Sequence, residues 1–367
     1  MISERIGPQW TRREWLKRAG AVSLGSHMNA TLPLIPLPVA TAQKSPLSEN
    51  KHRMELRSGS LEAILVDNSD GLAGQDQKAR RERLPAAAGT TQALMCTVPF
   101  EERFNGYNGV SQLRYAQSPT PFLPCAAGLN CEFFFDENER SYAPRWRELE
   151  NFEAQTSRLE RLSPSSTRLI IEPEAAWRVR VESVFKLVEP FFLDVEHSFI
   201  PTQAAVKRSF LGVFWASYIQ VPKVPPFYFR GRQNSKEAAR WMSIFDALDF
   251  AESGVIAPET TTSASPMGKG KHRLLYSVAS KRYVNPFFCG KVGDMLLAFL
   301  FRSNSDLELR FAFNAQGGGP GVPAWDYQAL AFSPQVGHRY TFNVRVIYKP
   351  FQTFQETLSI HDKWTRS

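Results

Sequence analysis

The sequence predicts an all-β chain: a large antiparallel β-sandwich with one or two short helices. Three observations carry that expectation. Several runs alternate apolar and charged residues with period two, as half-buried strands do. The run Phe210 to Val221, FLGVFWASYIQV, is apolar on both faces, which suits a central strand between two layers. The chain also has no βαβ rhythm, no Gly-rich turn that opens a helix and no fixed-period repeat. Dinucleotide folds, P-loop folds and solenoids are thereby excluded. Composition agrees, since 12% of the 367 residues are aromatic, 27 of them Phe, and aromatic rings favour strands.

The N-terminus comes first. Residues 1–42 hold a basic segment, a weakly apolar run broken by prolines, and the small-x-small pattern Ala40-Thr41-Ala42. That is the layout of a secretory leader. Thr11-Arg12-Arg13-Glu14-Trp15-Leu16-Lys17 resembles the twin-arginine (Tat) signal peptide, with Trp15 where Phe is commonest. The resemblance implies recognition by the twin-arginine export machinery and a periplasmic or extracellular destination for an already folded bacterial protein. Five basic and two acidic residues fall in this leader, so +5 of the +8 net charge stays with the remainder. A mild positive balance outside the cytoplasm points to acidic polysaccharide or membrane surfaces rather than nucleic acid. No later run approaches membrane-spanning length; Met295 to Phe301, MLLAFLF, reads as a buried strand.

Residues 43–91 read as a linker and a mobile segment, with one strand at Leu61–Val66. Residues 92–367 read as the sandwich domain. Trp177 to Leu187 and Phe191 to Phe199 alternate strongly and form a hairpin across Val188-Glu189-Pro190. Leu307 to Asn314 and His338 to Tyr348 give two more strands. Ser235 to Phe250 spaces Ala238, Trp241, Phe245 and Leu248 as a helix does, behind a Ser cap. Arg145 to Leu162 has helical composition, although Leu159 to Leu162 also suits the start of a strand.

At this length, with long strands, the architecture is similar to the β-supersandwich of galactose-mutarotase-like proteins. Gly128-Leu129-Asn130-Cys131-Glu132 with Phe135-Asp136, LGVFWASYI at 211–219 and GGGPGVPAWDYQ at 317–328 resemble stretches of uncharacterised exported bacterial proteins. The resemblance implies a common fold and no particular reaction. No mutarotase histidine pattern is present to carry over.

Candidate chemistry lies in four places. Gly317, Gly318 and Gly319 begin a stiff, proline-bounded loop whose N–H groups suit an anionic or hydroxyl-rich ligand. Beside it, Trp325 is either a platform for a sugar face or a core ring. Asp326 is either a hydroxyl acceptor or base, or a cap on the loop. Glu132 and Asp136, four apart in a strand, share a face there; they flank a glycosidic bond, or they are solvated. Asn105, Tyr107 and Asn108 suit sugar recognition or any turn. Arg282, near the basic loop Gly268–Arg273, suits an acidic glycan. His197 falls on the apolar face of its strand and reads as a satisfied core histidine. No metal-ligand spacing appears, and no cofactor is expected. The four cysteines are too few for a disulfide framework; Cys125 and Cys131 either bridge a loop, or Cys131 is a small strand hydrophobe. Carbohydrate is the expected partner, bound or processed by a lyase, hydrolase or epimerase type of protein. Carbohydrate binding without turnover, or a cell-envelope interaction role, is the alternative.

Overall fold

Period-two alternation gives several strands of this chain one wet and one dry face. In β8 (Val179–Val188) every odd residue from Val179 to Leu187 is buried, and the even ones are not. The computed structural model describes residues 52–67, 108–117, 128–137, 141–142, 157–173, 177–203, 209–219, 226–248, 253–261, 273–303, 306–317 and 322–367.

β1 (Arg53–Ser58), β2 (Leu61–Val66) and β3 (Gly109–Tyr115) form a three-stranded sheet. β4 (Asn130–Asp136) and β5 (Ser141–Tyr142) begin a six-stranded sheet. β6 (Ser157–Ser163), β7 (Ser166–Ile171), β8 and β9 (Phe192–Pro201) run as a meander in a nine-stranded sheet. β10 (Phe210–Ala216) returns to the six-stranded sheet. β11 (Tyr228–Arg232) and β12 (Arg240–Ser243) make the other end of the large sheet. Helix α1 (Ile244–Ala247), strand β13 (Ser253–Ile256) and helix α2 (Arg273–Tyr276) follow. β14 (Arg282–Val292) and β15 (Met295–Ser303) join the large sheet, and β16 (Glu308–Asn314) and β17 (Ala324–Phe332) the six-stranded one. β18 (Tyr340–Pro350) and helix α3 (Phe354–Arg366) complete the order.

The large sheet reads β12-β11-β14-β15-β18-β9-β8-β7-β6, and the other β13-β16-β17-β10-β4-β5. All these ladders are antiparallel. The three-stranded sheet abuts the six-stranded one where Val110 and Gly128 exchange backbone hydrogen bonds of 2.9 and 2.7 Å. One apolar cluster spans all three sheets, with Leu65, Val181, Trp215, Phe299, Tyr327 and Phe342 among its members. The all-β sandwich the sequence predicts is the observed architecture.

A polar link crosses that core. Ser183 and His197 face each other across β8 and β9. Ser183 Oγ lies 2.7 Å from His197 Nδ1, and His197 Nε2 lies 2.7 Å from Tyr327 Oη on the opposing sheet. Burial lowers the His197 pKa from 6.5 to about 3, so the ring is neutral. Its partners are hydroxyls, which donate or accept but bring no countercharge. His197 is thus a satisfied core histidine, as the strand pattern indicates.

α2 and α3 pack on outer faces of the sheets, whereas α1 buries Ile244 and Ala247 in the main core. α3 starts at Thr353, whose Oγ1 accepts from Glu356 N at 3.3 Å, and ends with Lys363 and Arg366 in its last turn. Its buried residues Thr357, His361 and Trp364 share one face. Trp364 packs with Phe287, Leu296, Leu300 and Ile347 on the outer face of the large sheet.

Several expectations change. Residues 53–58, read as linker, are β1 and pair along their length with β2. The helix expected over Ser235 to Phe250 shrinks to α1. Its first half is a hairpin: Asn234 Nδ2 donates to Glu237 Oε1 at 2.6 Å, and β12 then pairs with β11. An available strand partner outweighs helical spacing there. Of Arg145 to Leu162, residues 145–156 lie outside the described residues, and the remainder belongs to β6. Cys131 is a free, buried strand residue, a small strand hydrophobe, and Cys125 lies outside the described residues. The leader lies outside the described residues. Among the described residues, no helix is long and apolar enough to cross a membrane.

Candidate functional site

The six-stranded sheet turns one face to the main core and the other outward. β10 alternates cleanly: Leu211, Val213 and Trp215 join the core, while Phe210, Phe214 and Ala216 join a second cluster on the outer face. α2 lies over this outer face through Leu275 and Tyr276. The buried polar groups on that face form the candidate site.

β4 supplies the first of them. Its register on β10 shifts between Phe214 and Trp215, so Phe214 pairs with Phe133 but Trp215 with Cys131. Glu132 is the extra residue of this bulge. It lies on the outer face, 5% exposed, where Tyr218 Oη donates to its Oε2 at 2.6 Å and Asn130 Nδ2 approaches at 3.5 Å. Beyond the bulge the alternation is reset. Asp136 pairs opposite Leu211, a core residue, and alternates with outward Phe135. Glu132 and Asp136 therefore do not share a face, which corrects the paired-carboxylate expectation. The bulge is the reason.

β17 supplies the second carboxylate. Asp326 lies between Trp325 and Tyr327, both of which point into the core, so it faces outward with Gln328. Asp326 is 1% exposed, and its Oδ1 accepts from Ser217 N at 2.9 Å, which caps the end of β10. Gln328 Nε2 donates to Leu275 O at 3.4 Å, while its Oε1 is buried without a partner. On β16, Arg310 is fully buried and its Nε lies 2.6 Å from Glu308 Oε1. Burial pulls the Arg310 pKa down and Glu308 opposes that pull. By register, β10 separates Glu132 from Asp326, so their backbones stand about two strand spacings, roughly 10 Å, apart.

Other candidates fall elsewhere. Trp325 is a core ring and not a sugar platform. It is fully buried against Phe227 and Phe288, and it lies so close over Gly290 that a Cβ there would meet its Cη2 at 2.3 Å. Gly317 also has a packing role, since a Cβ would meet Ala324 Cβ at 2.5 Å. Gly318 and Gly319 lie outside the described residues, as do Asn105 and Tyr107. Asn108 is spent on β4: its Nδ2 donates to Cys131 O at 3.1 Å and its Oδ1 accepts from Cys131 N at 2.9 Å. Arg282 turns back on its own loop, donating from Nη1 to Lys281 O at 3.2 Å and to Ala279 O. Among the described residues, no group of three or more His, Cys, Asp or Glu side chains could hold a metal ion.

Sequence reasoning missed Tyr218, Gln328 and the Glu308–Arg310 pair. Glu308 and Arg310 did carry a signal, because charges two apart in a strand project side by side. Gln328 sits in a run that is buried on both faces, where alternation has no contrast to show.

No family model and no curated protein matches the chain. Solved structures do. A candidate aldose 1-epimerase from Escherichia coli K12 is 11% identical, with a TM-score of 0.43, over 82% of this chain and 99% of that one. An alpha-N-acetylgalactosaminidase from Bifidobacterium bifidum is 10% identical, TM-score 0.42, over 70% of this chain and 35% of that one. A galactose mutarotase-like protein from Lactobacillus casei is 6% identical, TM-score 0.41, over 81% and 100%. No residue of this chain is assigned a role by these similarities.

Proposed function

We propose that this is an exported protein that binds and processes a carbohydrate on the outer face of the six-stranded sheet. One observation carries the reading: Glu132, held by Tyr218 and Asn130, shares that face with Asp326 and with the unpartnered acceptor of Gln328. A sugar ring presents hydroxyls that both donate and accept, and apolar C–H faces between them. This buried face holds carboxylates, amides and a phenol beside the rings of Phe133, Phe214 and Tyr276. Glu132 is assigned the proton transfer. Hydrolases, lyases and epimerases need a positioned acid or base for that step, a role a carboxyl group can fill, and it contributes about 10²–10⁴ in rate. Asp326, oriented by Ser217 N, is assigned to hold the substrate. Export rests on Arg12 and Arg13 ahead of the weakly apolar run and the Ala-Thr-Ala site.

The test is a thermal-shift screen of residues 43–367 against neutral and acidic oligosaccharides, followed by turnover of the ligands found. A ligand at a hundredfold excess over its Kd adds about 2.7 kcal/mol of stability. Glu132→Gln keeps the shape and still accepts from Tyr218. It is expected to bind within a few-fold of wild type and to lose turnover by 10²-fold or more. A flat response across the panel, or full turnover by Glu132→Gln, refutes the reading.

A further inference from the structure

The three-stranded sheet carries a second, separate site. Its inner face joins the core through Leu56, Leu61, Ala63, Leu65 and Leu113. Above its other face is a cavity of about 260 Å³. In register, Arg57 on β1, Glu62 on β2 and Arg114 on β3 form one row across it. Glu55, Ile64 and Gln112 form the next. Arg53 closes the lining at one end.

The pairing of these charges is uneven. Arg53 reaches Glu55 at 3.2 Å; Arg57 lies 3.7 Å from Glu55 and 3.6 Å from Glu62. The two carboxylates are thus both engaged by Arg53 and Arg57, and Arg114 has no carboxylate within ion-pair distance among the described residues. Gln112, only 6% exposed, lines the cavity beside Arg114. One surplus guanidinium and one amide, two residues apart on β3, fit an oxyanion with a neighbouring hydroxyl. The volume is that of about nine waters and falls short of the ~300–1,000 Å³ of a whole small-molecule site. It accommodates one unit of a longer chain.

We infer that this cavity binds an acidic saccharide unit, its carboxylate or sulfate on Arg114 and a hydroxyl on Gln112. The choice of a saccharide rests on the proposed function; the anion rests on this cavity alone. The site is distinct from Glu132, so the two can be separated by substitution. The experiment is calorimetric titration of residues 43–367 with four probes: an oligogalacturonate, a sulfated oligosaccharide, a neutral oligosaccharide of equal length, and inorganic sulfate. Arg114→Gln and Glu132→Gln are titrated alongside wild type. The expected result is binding of one acidic probe that weakens about tenfold to a hundredfold in Arg114→Gln, weakens with added salt, and is unchanged in Glu132→Gln. The better of the two acidic probes identifies carboxylate or sulfate as the anion. Equal binding by Arg114→Gln and wild type, or no binding of either acidic probe, overturns the inference. Inorganic sulfate that binds through Arg114 while both acidic saccharides fail overturns the saccharide assignment. Loss of neutral-sugar binding in Glu132→Gln alone bears on the outer-face site and leaves this one standing.

Discussion

Lowering the pH from 7 to 4 should destabilise this protein through one ring. His197 is neutral in the folded chain, with its pKa near 3, and has an ordinary value of 6.5 when exposed. Below pH 6.5 the unfolded chain takes up a proton that the folded chain refuses. The unfolded state then binds more protons, so stability falls as pH falls. The loss begins at about 6.5, proceeds at about 1.4 kcal/mol per pH unit, and levels off near pH 3. By pH 4 it amounts to about 3 kcal/mol, a large share of the ~5–15 kcal/mol that holds a typical domain together. The cause is geometric: Phe185, Trp215 and Phe342 surround the ring, and Ser183 and Tyr327 bond it without supplying charge. The assay is urea unfolding followed by tryptophan fluorescence, at pH 7 and pH 4, for wild type and His197→Gln. Carboxylates titrate in both proteins and cancel in the difference. Wild type is expected to lose about 3 kcal/mol more than the variant between the two pH values. Parallel losses, equal within about 0.5 kcal/mol, would refute the neutral buried ring.

Two further outcomes are expected. Gly290→Ala drives a methyl into the Trp325 ring and should cost about 1–3 kcal/mol, read as a lower urea midpoint with an unchanged slope. An unchanged midpoint would mean that Trp325 is not packed over β14. Replacing Arg12 and Arg13 together by Lys should hold the chain in the cytoplasm of an expressing bacterium, followed by fractionation and blotting. Export at the wild-type level would remove the twin-arginine assignment.

Much of the fold was legible because many strands have unlike faces. The β8–β9 hairpin and β16 show it, and Phe210 to Ala216 declared itself central by having no polar face. What the alternation rule could not see was a one-residue bulge. Glu132 and Asp136 are four apart and should align, but the extra residue at Glu132 reverses the faces that follow. Trp325 misled for another reason. A Gly-rich loop beside an aromatic residue and an acid has the look of a site, whereas the register of β17 places Trp325 with Tyr327 in the core. Thr353 and Glu356, three apart, were a readable capping signal for α3 that sequence reasoning passed over. Arg240 to Ser243 was unreadable locally, since its strand state depends on β11 being there to pair with it.

The position of β18 has a consequence for how the chain acquires its shape. β6 to β9 are made early and β11, β12, β14 and β15 later, and the two groups do not touch within the large sheet except through β18, which lies between β15 and β9. It pairs with Phe192–Phe199 across well over a hundred residues of chain. Until residue 350 has left the ribosome, each half of the sheet ends in an open edge of unpaired backbone amides. β18 is the keystone of the large sheet, and the interval before it arrives is when the nascent protein is most exposed to wrong partners. Such distant pairing also makes closure slow, so shielding of the β9 and β15 edges by a chaperone would govern the yield of folded protein more than its final stability does.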